Sequence, residues 1–337
     1  MNLLNIKLMP LVAMLFFLGF LRGSAQINLN RIDNTIRAKE ISEMKFGMFI
    51  CWSFSTFSGQ EWTPTEGKDA TYFKATGCNT DQWCKVAKDA GMGYILFLTK
   101  HHDGFCLWDT KTTEKKVTNS ALRIDVLAKL RKSCDKYGIK LALYFSEGDW
   151  TFPGAVSLKD GGKNPEIKKA QLKELLTQYG PIEYIWFDHA QGDGGLSHED
   201  TDKWVEQFQP NCLPGYNHGT PAGRIRLGEM GSPSALDDFS GAGYNKQAAG
   251  YKGYIAAEFT YPILPKHDGG AMWFYSLPKH DQLCLPANKL YLDYLGALKY
   301  GNIFSLDVGP DYKGRIRDID VETLRKVGNY INGKIKL

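Results

Sequence analysis

The chain has 337 residues, 43% hydrophobic and 13% aromatic, ample for one large core. Its 41 basic and 37 acidic residues leave a formal charge of +4 with no long basic tract, which disfavours nucleic acid as a partner. The positive clusters at 111–116 and 159–169 are interrupted by acids and read as solvated loops or helix faces.

The N-terminus has the pattern of a secretory signal peptide. Residues 1–7 carry a positive charge, 8–21 are almost wholly apolar, and Gly23-Ser24-Ala25 offers small residues for cleavage before Gln26. The apolar run of about 14 residues falls short of the roughly 20 that span a bilayer. No cysteine sits at the cleavage site to take a lipid, and no later segment reads as membrane-spanning. Residues 1–25 are therefore expected to be a signal peptide, with the mature protein in the periplasm or secreted. Seven cysteines, at 51, 78, 84, 106, 134, 212 and 284, include no CxxC pair. An odd number without that spacing predicts neither a regular disulfide framework nor a zinc knuckle.

Short apolar runs then alternate with helical patterns. Strands are predicted at 45–52 (KFGMFICW), 94–99 (YILFLT), 140–145 (KLALYF) and 184–188 (YIWFD). Continuous apolar runs of this kind suit parallel strands buried on both faces. Helices are predicted at 80–90 behind Asn79 as a cap, at 124–137, and at 165–179 before the Gly180-Pro181 stop. The second half is less regular. Strands are assigned there to 225–227, 253–257, 271–275 and 302–307, and helices to 201–208, 286–300 and 319–331. Eight strands with helices between most of them predict an α/β fold, a (β/α)₈ TIM-like barrel irregular in its second half. A doubly wound sheet is the alternative. Residues 26–337 are expected to form this one barrel.

In a barrel the strand ends converge on one mouth. Here that mouth gathers Cys51-Trp52, Lys100-His101-His102-Asp103, Ser146-Glu147, Asp188-His189, Glu229 and Trp273-Phe274-Tyr275. Aromatic faces beside carboxylates and histidines suit a sugar ring. Asp188 ends an apolar strand, where a charge must be paired or functional. Glu229 lies on a glycine-flanked turn in RLGEMG, and Glu258, after GYIAA, competes with it for the second acidic role. A separation near 5 Å between the two carboxylates would give retaining glycoside hydrolysis, and roughly 6.5–9.5 Å would give inversion. On the retaining reading Asp188 attacks the anomeric carbon and Glu229 lends and recovers a proton. A metal site with Asp103, Asp188 and His189 as further ligands is the alternative for His101 and His102, but adjacent residues on an extended segment point apart, so these neutral histidines are expected to donate to sugar hydroxyls. Asp103 is expected to accept from backbone amides in the loop closed by Gly104.

The set FGMFICW, KHHDGFCLWDT, YIWFD, RLGEMG and AMWFYS, in this order, resembles the α-L-fucosidases of glycoside hydrolase family 29, from about residue 45 to 331. The segment GNIFSLDVGPDYKGRI resembles the branch that prefers α-1,3/1,4-linked fucose. The resemblance implies a retaining mechanism in a modified (β/α)₈ barrel with no catalytic metal or cofactor. It implies Asp188 as nucleophile, Glu229 as acid/base and His101 and His102 as fucose contacts. Trp52, Trp186 and Trp273 match pocket positions, and Tyr144 and Glu258 join them as candidate substrate-binding residues. The family usually has His-Trp-Gly where this chain has Cys51-Trp52-Ser53, and Gly where His189 follows the nucleophile. His189 is thus expected to reshape the pocket or to supply a contact. Asp307 stands where Asn is common. Many relatives carry a C-terminal β-sandwich, and none is expected here. The resulting expectation is an exported exo-fucosidase acting on fucosylated or related oligosaccharides, without membrane insertion. Hydrolysis of a related glycoside, or a barrel that binds sugar without catalysis, are the alternatives raised by Cys51 and His189.

Overall fold

The structure is a computed structural model that describes residues 30–151, 164–189, 195–217, 220–230, 253–275 and 277–337. The predicted leader at 1–25 and the βα-loop segments at 152–163 and 190–194 lie outside the described residues.

The first half follows its apolar runs closely. β1 (Phe46–Ile50), β2 (Tyr94–Lys100), β3 (Lys140–Ser146) and β4 (Tyr184–Asp188) are buried on both faces through most of their length. Between them α3 (Thr80–Asp89) begins at Asn79, whose side chain accepts from the Gln82 amide at 3.0 Å. α4 (Val126–Tyr137) is capped in the same way by Asp125 and ends at Gly138, whose φ of 68° is the left-handed conformation that closes helices. α5 (Pro165–Gln178) opens with proline in its first turn behind Asn164, where a missing N–H costs nothing. Two further helices, α1 (Asn34–Ser42) and the single turn α2 (Ser55–Ser58), have little amphipathic pattern and escape sequence reading.

The second half contains α6 (His198–Phe208), β5 (Leu213–Tyr216), β6 (Ile225–Glu229), β7 (Ala256–Pro262), α7 (Ala287–Lys299), β8 (Ile303–Asp307) and α8 (Asp318–Ile331). The segment 213–216, LPGY, for which no element is predicted, is a strand. It pairs in a ladder only with β4, and at the edge of a sheet Pro214 is tolerated. The segment 271–275 is not a strand. Its backbone is held instead by the Glu61 carboxylate, which accepts from the Met272 amide at 2.7 Å. The predicted strand at 253–257 shifts to β7, and the one at 225–227 extends to Glu229.

Among the described residues eight parallel strands run in the order β5-β4-β3-β2-β1-β8-β7-β6, so β1 and β8 pair and the ring closes except between β5 and β6. At that seam Gly215 lies against Ile225 and Leu227: a Cβ there would stand 2.8 Å from the Ile225 carbonyl oxygen. Gly215→Ala is expected to cost about 1–3 kcal/mol by overpacking, read as a lowered midpoint in urea unfolding. This is a (β/α)₈-type barrel with one unpaired seam, and its parallel strands deliver all their carboxyl ends to one rim.

The barrel interior is polar at one level. Glu258 accepts from Trp186 Nε1 at 2.8 Å and Tyr184 Oη at 3.0 Å, and it also bonds Ser305. Tyr94 crosses the same interior against Gly47, where any Cβ would meet its ring at 2.3 Å, and Tyr94 Oη reaches Ser305 Oγ at 2.6 Å.

Candidate active site

At the carboxyl rim lies an open pocket, with about 440 Å³ of free space when its solvent-filled mouth is included. Its walls come from alternate residues at the strand ends, because side chains two apart share a face. β1 contributes Phe49, with Cys51 just past its end, β3 Tyr144, β4 Trp186 and Asp188, and β6 Glu229. The rest is lined by Leu98 of β2, by His101 and His102 just beyond it, by Glu61 and Trp62 after α2, and by Trp273 and Phe274. Tyr144 stacks on Trp186 with ring centres 5.3 Å apart, and Phe49 bridges towards Tyr144 and Trp273. The aromatic walls offer flat faces to an apolar ring surface, and the acids and imidazoles gather beside them.

Asp188 is held by three donors. Tyr144 Oη donates to Oδ2 at 2.6 Å, and the His189 amide and Asn217 Nδ2 each donate to Oδ1 at 2.9 Å. Asn217 Nδ2 also donates to Glu229 Oε2, at 2.7 Å. Two bonds of 2.9 and 2.7 Å from one nitrogen hold those carboxylate oxygens no more than their sum, 5.6 Å, apart. That ceiling, set on the two bridged oxygens, stands beside the roughly 5–5.5 Å of retaining enzymes and below the roughly 6.5–9.5 Å that admits a water between carboxylates. Burial pushes the Glu229 carboxyl up to about 7. The nearby Asp188 charge adds to the rise, and the Asn217 bond opposes it. Glu229 therefore holds a proton under conditions where an ordinary glutamate has lost it.

The two histidines lie closer than an extended chain predicts. Pairing between β2 and β3 shifts register between Leu98 and Lys100, and the chain turns at His102. Both rings therefore reach the pocket, with centres 4.1 Å apart. Burial holds both well below the usual imidazole range, and each lowers further beside another imidazole. Both are neutral near pH 7. Asp103 accepts from the Phe105 amide at 2.9 Å and from Ser53 Oγ at 3.0 Å, which fixes the loop through Gly104. Phe105 and Trp108, presented by that loop, are fully buried in the core. Among the described residues, no group of three or more His, Cys, Asp or Glu is arranged to hold a metal ion.

Three expected substrate contacts lie elsewhere. Trp52 alternates to the opposite face from Cys51, packs edge-on to Phe73 and Trp83, and donates to the Asp311 carbonyl at 3.2 Å. Glu258 is fully buried one layer below the pocket, and its two oxygens are occupied by barrel donors. Burial raises its carboxyl to about 7 as well, so a raised carboxyl alone does not identify the acid. His189 stands behind His102, with ring centres 4.1 Å apart, rather than on the cavity wall. Its φ of 48° is the conformation that favours glycine, and in adopting it His189 aims its amide at Asp188.

Asn217, which bridges the two carboxylates, and the lining residues Glu61 and Trp62 were not legible. Asn217 follows a strand not predicted from the sequence, so nothing placed it at the rim. Glu61 and Trp62 sit in a loop after α2 with no strand end to mark them. Burial raises the Glu61 carboxyl against the amides of Met272 and Trp273, through which it fixes the Trp273 wall. Cys51 lines the pocket as a neutral thiol, pushed well up by burial and by the adjacent Asp307.

Residues 23–334 match the family model described as Alpha-L-fucosidase. Alpha-L-fucosidase 1 of Arabidopsis thaliana is 30% identical over 306 residues, covering 85% of this chain and 57% of that protein. The alpha-L-fucosidase of Dictyostelium discoideum is 26% identical, covering 75% of this chain and 54% of its own length. A glycoside hydrolase 29 family member from an unknown rumen bacterium superposes with a TM-score of 0.72 at 27% identity, over 90% of this chain and 57% of that one. Alpha-L-fucosidase isoenzyme 1 from Paenibacillus thiaminolyticus shares the fold, with a TM-score of 0.69 at 24% identity over 89% and 76% of the two chains. The chain thus spans a little over half the length of the curated relatives it matches. With a family model matched along almost its whole length, the chain belongs to the alpha-L-fucosidase family, glycoside hydrolase family 29.

Proposed function

We propose that this protein is an exported, retaining exo-α-L-fucosidase that removes terminal fucose from oligosaccharides. The observation that carries the reading is the pair Asp188 and Glu229 joined through one Asn217 amide at the pocket. Asp188 attacks the anomeric carbon as Glu229 gives its proton to the departing oxygen, which leaves a glycosyl ester on Asp188. Glu229, now a base, takes a proton from water, and the resulting attack releases the sugar and restores both groups. His101 and His102 meet the sugar hydroxyls, and Tyr144, Trp186 and Trp273 wall the ring. The resemblance of residues 301–316 to the branch acting on α-1,3/1,4-linked fucose supports that linkage preference. The leader pattern at 1–25 supports export to the periplasm or beyond, with one catalytic barrel over 26–337.

Assay of aryl α-L-fucosides and a panel of fucosylated glycans tests this directly. Release of L-fucose is the expected result. Turnover confined to other glycosides would reject the sugar, and binding without turnover on the whole panel would reject catalysis.

Asn217 gives a graded check. Asn217→Ala removes one bond from each carboxylate and is expected to lower kcat about 10–100-fold. Its bond favours the Glu229 anion, so its loss raises that carboxyl further. The basic limb of the pH–rate profile should therefore move to higher pH, not lower.

A further inference from the structure

The hydrogen bonds behind His102 fix which of its nitrogens carries the proton. Ser146, the last residue of β3, lies opposite Asp188 in the β3–β4 register. Its hydroxyl donates to the Gly148 carbonyl at 2.7 Å, an oxygen that can only accept. A serine hydroxyl has one hydrogen. The 2.6 Å contact between Ser146 Oγ and His102 Nδ1 must then run from the ring N–H to the hydroxyl oxygen. In the neutral ring this leaves the lone pair on Nε2, which stands 3.6 Å from Asp188 Oδ2. Asp188 Oδ2 accepts from Tyr144 on its other side. The rings of His101 and His189 and the indole of Trp150 pack around His102, and the Lys100 charge lies nearby. All of these keep it neutral or fix its plane.

We propose that Ser146 is a positioning residue that locks His102 in the Nδ1–H tautomer, so that Nε2 accepts from a sugar hydroxyl and never donates to the nucleophile. This deepens the fucosidase reading and rests on it for the role of Asp188. The opposite tautomer would aim an N–H at Oδ2 from 3.6 Å, outside hydrogen-bond reach but close enough for the N–H dipole to draw on its negative charge and blunt its attack. It would also turn away the hydroxyl hydrogen of the bound sugar. Ser146→Ala removes the acceptor for Nδ1–H and frees the ring to take that tautomer, whereas Ser146→Thr keeps a hydroxyl.

The test is nitrogen-15 NMR of the imidazoles in histidine-labelled full-length protein near pH 7. His102 is assigned by its loss in His102→Gln, and kcat and KM are read on an aryl α-L-fucoside. The expected results are a protonated Nδ1 in the wild type and a shift of the proton towards Nε2 in Ser146→Ala. With it kcat should fall about tenfold or more, the size of one misdirected hydrogen bond, while Ser146→Thr restores both the signature and most of kcat. A wild-type ring protonated on Nε2 would overturn the proposal whether or not any variant folds. So would an Ser146→Ala protein with unchanged tautomer and kcat. A wild type inactive on every fucoside would instead strike the proposed function, and the tautomer would still be decided by the spectrum.

Discussion

Asp188→Ala is expected to lower kcat on an activated aryl α-L-fucoside by about 10⁴-fold or more, the scale on which removal of a catalytic nucleophile acts. The substitution is not expected to unfold the protein. Asp188 sits at the last position of β4, and the strand's core positions Ile185 and Phe187 are untouched. What it removes is the acceptor of three hydrogen bonds, from Tyr144, His189 and Asn217, at the pocket wall. The loss should be partly reversed by a small anionic nucleophile such as azide, which fits where the carboxylate stood. Azide attacks the anomeric carbon as the aryl group leaves, and the product is the glycosyl azide of inverted configuration. Rescue separates a missing nucleophile from a damaged fold. A variant that keeps more than about a tenth of wild-type kcat would remove Asp188 from the chemistry.

Glu229→Gln has the second large effect, and it depends on the leaving group. An acid is needed most where the departing oxygen is a poor leaving group, so kcat/KM on oligosaccharides should fall about 10²–10⁴-fold. On a nitrophenyl fucoside the first step needs little protonation, and its loss should be much smaller. The pH dependence follows from the carboxyl at about 7, raised by burial and by Asp188. A group that must be protonated to act loses function as pH rises through that value. The wild-type profile should therefore fall on its basic side near pH 7, and Glu229→Gln should lack that limb. The same limb persisting in the variant would move the acid role elsewhere. Glu258 is no candidate for it, because its oxygens face Trp186, Tyr184 and Ser305 inside the barrel.

The barrel was legible where the strands are buried on both faces, since a continuous apolar run leaves little else for the chain to do. YIWFD maps onto β4 residue for residue, and Asp188 at its end could be singled out as a carboxylate that needed partners. The count of eight strands also held, but its membership did not. LPGY carries two residues that usually break strands, and it survives because it occupies the seam. AMWFY has strand composition, yet its backbone is held by a side-chain carboxylate from a loop. The site divides in the same way. Residues at strand ends were found by their position, whereas Asn217, Glu61 and Trp62 depend on where loops return. Trp52 and Glu258 were misplaced because sequence does not reveal which face, or which layer of the interior, a strand-end side chain occupies. The expectation that adjacent histidines diverge failed at a register shift that no local pattern announces.

The pairing of Asp188 and Glu229 through Asn217 is the claim on which the chemistry rests, and the anomer released first tests it most directly. Proton NMR of the earliest hydrolysis product, recorded before mutarotation, should show α-L-fucose, the configuration of the substrate. The β-anomer appearing first would contradict the account, because it requires water to attack where Asp188 is held to act.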